Sequence, residues 1–163
     1  MLNKIEDSLI RRLRDSLPDA VEVIPLPDTV EGIARPFATG QICVYYAGLN
    51  GRPQPSTTGS IESRRQIWQL LLRHRHRRQD GGLHGLIDSA RYLLTGFLPA
   101  GAAGRLQLEE ESVPEPLDGV WVSFLTLSCP VPVLHLEDPE AGPRLVRLEW
   151  EGQVQPPNFK ESP

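Results

Sequence analysis

The densest set of side chains able to do chemistry is Arg73-His74-Arg75-His76-Arg77-Arg78, preceded in the same stretch by Arg64 and Arg65. Arginine forks suit phosphates and carboxylates, so this stretch carries the charge to hold a nucleic-acid backbone or an acidic protein surface. Aromatic residues interleaved with the arginines, which would stack on bases, are missing, because Trp68 falls on the apolar side of the same segment. A solvated or protein-facing strand end is the better reading. His74 and His76 share one face of an extended chain, as metal ligands do, but no Cys or carboxylate follows at ligand spacing and the neighbouring guanidiniums oppose a cation. His84 and Asp88 stand one helical turn apart, the separation of an acid–base pair. With no nucleophile beside them, an ordinary i,i+4 contact near a helix start is expected. Ser8, Ser63, Ser89 and Ser128 lack Gly-x-Ser-x-Gly surroundings, and Glu109-Glu110-Glu111 reads as a solvated strand end. No enzyme, cofactor or metal site is expected.

The elements that position these residues follow from periodicity. In Ser63–Arg78, period two sets Trp68, Leu70 and Leu72 on a core face and Ile67, Gln69, Leu71, Arg73 and Arg75 on a half-polar one. Gly81-Gly82 breaks the run; Leu83, Leu86, Ile87, Ala90, Leu93, Leu94 and Phe97 then recur at helical spacing. Upstream, residues 2–17 form an amphipathic helix with Leu2, Ile5, Leu9, Leu13 and Leu17 on its stripe, a capping box from Asn3 and Glu6, and Pro18 as its stop. Val21–Ile24 is a weak edge strand or surface crossing, followed by an extended bend set by Pro25 and Pro27 that leads to Pro36. Gln41–Ala47 is a central strand with both faces covered, and Gly48–Ser60 is a long hairpin connection. Arg105–Val113 places Leu106 and Leu108 opposite Gln107 and Glu109, and it pairs as a hairpin with Val120–Cys129. Trp121 and Trp150 are core or interface anchors.

At 163 residues the chain has the size of one ordinary domain, large enough for a core without metal or disulfide support. The expected fold is α+β: a small, mostly antiparallel sheet with two helices packed on one face, plus extended loops and a C-terminal arm. Residues 1–130 form the domain and 131–163 a Pro-rich arm with one further strand over Arg144–Trp150, where Leu145, Arg147 and Glu149 alternate with Val146, Leu148 and Trp150. A net charge of -4 argues against a nonspecific grip on nucleic acid by the whole chain. Cys43 and Cys129 lie in strand-like apolar runs as small buried hydrophobes, which fits a reducing compartment. No signal peptide is recognised and no apolar span approaches 18 residues, so no membrane partner is expected.

The order helix, weak strand, strong strand, long loop, long strand, helix and closing strand, over residues 1–130, resembles the tail terminator (tail completion) proteins of long-tailed phages, especially those of Mu-like prophages and contractile, bacteriocin-like tails. The resemblance lies in the helix Leu2–Leu17, the strands Gln41–Ala47, Ile61–Arg75 and Val120–Cys129, the loop Gly48–Ser60 and the helix Leu83–Phe97. It implies a structural protein without catalytic residues, made in the bacterial cytoplasm and ending in a virion or phage-like tail particle. Such proteins form a ring, usually a hexamer, on the head-proximal end of the tail tube, stop its polymerisation, and contact sheath or head connector. A ring needs two different complementary surfaces. The expected interface residues are Arg64, Arg65, Arg73, Arg75, Arg77 and Arg78 facing a neighbour's Glu109, Glu110 and Glu111, with Leu145, Arg147 and Trp150 of the arm reaching sheath or a neighbour. The alternative is a small nucleic-acid-binding or regulatory module using the same arginines; no specific nucleic-acid partner is implied.

Overall fold

The computed structural model describes residues 1–50 and 63–132. In chain order the elements are α1 (Leu2–Arg14), β1 (Val21–Pro25), α2 (Val30–Ala34), β2 (Gly40–Asn50), β3 (Ser63–His74), a 3-10 turn (Gln79–Gly81), α3 (Gly82–Leu94), β4 (Gln107–Glu111), β5 (Glu115–Leu117) and β6 (Val120–Pro132). The fold is α+β. Among the described residues six strands make one sheet in the order β1-β2-β3-β6-β4, with β5 continuing beside β6. Among the described residues only β1 and β2 run parallel; every other pair is antiparallel.

Register explains the core. Ile42 pairs with Leu72 and Val44 with Leu70, while Leu70 meets Leu125 and Trp68 meets Leu127, so these side chains share one face. The apolar stripes of both long helices lie on that face: Ile5, Leu9, Ile10 and Leu13 from α1, and Leu83, Leu86, Ile87, Ala90 and Leu94 from α3, join the strand residues in one cluster. Each fully buried Leu or Ile contributes roughly 1.5–3 kcal/mol of transfer free energy, which decides the orientation of the sheet over any local propensity. The hairpin joining β5 to β6 turns at Asp118 and Gly119, with φ of 49° and 80°. Two consecutive left-handed residues twist the connection as a two-residue hairpin requires, and glycine takes the second at no steric cost.

Several expectations need correction. Helix α1 begins at Leu2, with Met1 as its cap and no side-chain capping bond, so Asn3 sits inside the first turn and the Asn3–Glu6 capping box does not form. Leu2 is exposed; Ile10, not on the expected stripe, is buried in its stead. Between the prolines of the first connection a short helix, α2, forms where an extended bend was expected. Thr29 caps it, its Oγ1 accepting from the Gly32 amide at 3.1 Å. Strand β3 ends at His74, and α3 ends at Leu94, where Thr95 turns extended and Gly96 takes φ 78°. The loop Gly48–Ser60 lies outside the described residues beyond Asn50, as does all of the arm after Pro132, with Leu145, Arg147 and Trp150.

Candidate interaction face

Neither α1 nor α3 packs on the second face of the sheet. The connection between β1 and β2 reaches over part of it, with Arg35 4.0 Å from Glu22 and Phe37 against Arg73, and Gln41 and Cys43 are buried there. The side chains of this face fall into rows set by register. One row runs Glu22, Gln41, Arg73; the next runs Ile24, Cys43, Leu71, Phe124; the third runs Tyr45, Gln69, Thr126. The polar rows are closed by hydrogen bonds within the chain. Arg73 Nε donates to Gln41 Oε1 at 3.0 Å, Gln41 Nε2 donates to Glu22 Oε2 at 2.7 Å, and the Arg73 guanidinium lies 5.0 Å over the Phe37 ring. The Tyr45 hydroxyl donates to Gln69 Oε1 at 2.5 Å, and Gln69 Nε2 donates to Thr126 Oγ1 at 3.2 Å. At the far end Arg65 reaches Ser128 Oγ, Gln107 Oε1 at 2.7 Å and Glu109 Oε1 at 3.2 Å, while the buried Ser128 hydroxyl donates to Glu109. Between these rows Phe124 is 40% exposed. An apolar row held between satisfied polar rows is the composition of a protein contact surface, neither dry core nor fully solvated face.

A bulge decides where the acidic run points. Leu108 pairs with Leu127 but Glu110 pairs with Thr126, so Glu109 is the extra residue. Glu109 therefore meets Arg65 on the helix-free face, whereas Glu111 is thrown to the other side and lies 3.6 Å from Arg91 of α3. Glu110 is exposed. Two of the three carboxylates are thus engaged within the chain, and the expected pairing of Glu109–Glu111 with a neighbour's arginines would have to break these contacts.

The arginines are likewise dispersed. Arg64 takes the helix-side face opposite Val131, and Arg65 and Arg73 take the helix-free face, eight residues and so about 27 Å apart along β3. Arg75 donates to the Phe37 carbonyl at 3.1 Å. Arg77 lies 5.2 Å over the Trp121 ring and donates to His84 Nε2 at 3.2 Å; Arg78 is exposed. No continuous basic stripe results. His84 is thereby occupied by Arg77, and Asp88 pairs with Arg91 at 2.8 Å, so the expected His84–Asp88 contact does not form. His74 is buried and His76 lies past the strand end, so the two do not share a strand face. His74 Nδ1 sits 2.9 Å from the His76 carbonyl oxygen and 3.0 Å from its amide nitrogen. Burial pushes His74 below the ordinary histidine range, with His76 opposing ionisation and the His76 carbonyl and Asp80 favouring it. Among the described residues no three His, Cys, Asp or Glu side chains converge as metal ligands.

Cys43 and Cys129 are free and buried. Burial raises both thiols; Arg73 offsets part of this at Cys43, and Arg65 and the Trp68 indole part of it at Cys129. Sequence reasoning missed Glu22, Gln41, Tyr45, Thr126 and Phe124 as members of this face. The signal was present in the second face of each strand, opposite the core positions, but only register aligns those residues into rows.

A family profile described as Gp37 protein matches residues 9–152. The chain belongs to the Gp37 family. The match runs past Pro132 and takes in Arg144–Trp150, so residues 131–152 of the arm lie within the matched span. Among curated protein sequences none matches significantly. Among solved structures, this Gp37-family chain is similar to a chain from the virion of a native gene transfer agent (GTA) particle, at 11% identity and a TM-score of 0.54, covering 80% of this chain and 96% of that one. At such identity the likeness shows the fold alone.

Proposed function

We propose that this protein is a non-enzymatic structural component of a phage-like tail. It forms a ring, a hexamer, on the head-proximal end of the tube, stops its polymerisation, and offers a surface to sheath or head connector. The observation that carries the reading is the helix-free sheet face: an apolar row with the half-exposed Phe124 lies between polar rows that are already satisfied within the chain. Such a face needs no rearrangement to meet another protein. Membership of the Gp37 family and the fold shared with a gene transfer agent virion chain support placement in a virion or phage-like tail particle. Negative-stain imaging of tail particles assembled with and without this chain tests the proposal. Loss of a terminal disc together with overgrown or unstable tubes is the expected result; normal tails in its absence would remove the proposal.

A further inference from the structure

We propose that successive copies of this chain join head to tail, the acidic turn Asp28–Glu31 of one copy entering a basic aromatic groove at the C-terminal end of α3 in the next. The inference rests on the ring reading above and assigns its contact. The groove, an open depression of about 350 Å³, is lined by Arg12, Tyr92, Phe97, Leu98 and Arg105 among others, and no carboxylate lines it. Tyr92 is 86% and Leu98 51% exposed, large apolar side chains left without cover. Arg12 lies 5.4 Å over the Phe97 ring and Arg105 donates to the Gly96 carbonyl at 2.7 Å, so both guanidiniums are held in place. Neither has an acidic partner among the described residues. Five N–H donors per fork leave most of each free to bind outward.

The complementary element is α2 and its entry. Asp28, Thr29, Val30 and Glu31 are all exposed, Val30 by 76%, and α2 buries no side chain at all. Its backbone is held nonetheless, because Thr29 caps it and Gly32 packs so tightly on Pro27 that a Cβ there would lie 2.7 Å from the proline Cβ. A small apolar tip flanked by two carboxylates matches two arginines flanking exposed Tyr92 and Leu98. The surfaces belong to opposite edges of the sheet. The groove adjoins Leu106, which leads into β4 and exchanges backbone bonds with Gly96 and Phe97, whereas α2 lies in the crossover between β1 and β2. A contact between unlike surfaces is heterologous and repeats from copy to copy, closing a ring where the rotation permits.

The test is native mass spectrometry and sedimentation of the full chain, alone and with tail tubes, comparing wild type, Arg12→Glu/Arg105→Glu, Asp28→Arg/Glu31→Arg and Tyr92→Ala. Each variant is expected to weaken the oligomer by roughly tenfold or more, and mixing the two charge-reversed variants to restore it. Should the Arg12 variant fail to fold, the Tyr92→Ala and Asp28→Arg/Glu31→Arg substitutions, at exposed positions, decide the matter. A wild-type ring that survives these variants, or charge-reversed partners that do not recover on mixing, overturns the contact and leaves the ring reading standing. Wild-type protein that stays monomeric both alone and on tubes overturns both.

Discussion

Phe124→Ala separates a sheet face that docks a partner from one that only completes the monomer. Phe124 is 40% exposed, leaving about 60% of the residue covered within the chain. Full burial of a Phe side chain contributes about 1.5–3 kcal/mol, so truncation should cost the isolated protein about 1–2 kcal/mol of folding stability. The uncovered part then has about 1 kcal/mol left to contribute to association, equivalent to a dissociation constant about fivefold weaker per contact. Leu127→Ala supplies the control. That side chain is fully buried on the helix-covered face, so its truncation should cost about 2–5 kcal/mol of stability with no direct loss of contact area between subunits. Chemical denaturation under monomeric conditions reads the first quantity, and sedimentation of assembled rings or discs on tail tubes the second. A Phe124→Ala protein that loses 3 kcal/mol or more, as a sealed core position would, yet assembles like wild type would refute the reasoning, because the face would then be covered within the chain itself.

Other substitutions test the remaining features. His74 has its proton affinity lowered chiefly by burial, so its neutral form is the one the fold accepts. Below the unfolded value of about 6.5 the unfolded chain takes up the proton first, and stability is lost as pH falls from there towards the lowered native value. His74→Asn should flatten the denaturation profile over that acid range, and an unchanged slope would place the pH dependence elsewhere. Gly82 has φ 48°, and a Cβ on it would stand 2.6 Å from the Arg77 carbonyl carbon and oxygen, so Gly82→Ala should cost at least ~2 kcal/mol and lower the melting temperature. Iodoacetamide followed by mass spectrometry should leave both buried, raised-pKa cysteines unmodified in native buffer and label both in denaturant. Removing residues 139–163 should spare the melting transition of the domain but weaken tail capping; unchanged capping would take the arm out of the contact.

Periodicity alone located most of the fold because burial strongly favours one phase of each pattern. Trp68, Leu70 and Leu72 read as core at period two and are core; the α3 positions Leu83, Leu86, Ile87, Ala90 and Leu94 read as a stripe and are buried. Local pattern was blind to α2, since five residues too short to carry a stripe give no periodic signal between prolines, and only Thr29 hinted at a cap. It was equally blind to the Glu109 bulge. Strict alternation puts Glu111 beside Glu109, and one inserted residue sends it across the sheet to Arg91.

By itself, then, the amino-acid order determined where the long helices and strands lie, which face of each is apolar, that Cys43 and Cys129 fall in apolar runs, and that positive charge gathers between Arg64 and Arg78. Tertiary structure alone decided what that charge does. Pairing β3 between β2 and β6 set Arg73 on Gln41 and Arg65 on Ser128 and Glu109, and packing turned Arg77 onto Trp121, so a run that looks like one basic cluster becomes separate, internally satisfied contacts. The physical reason is that alternation is a property of a single strand, fixed by backbone geometry, whereas partners arise from register between strands distant in sequence, which long-range burial selects.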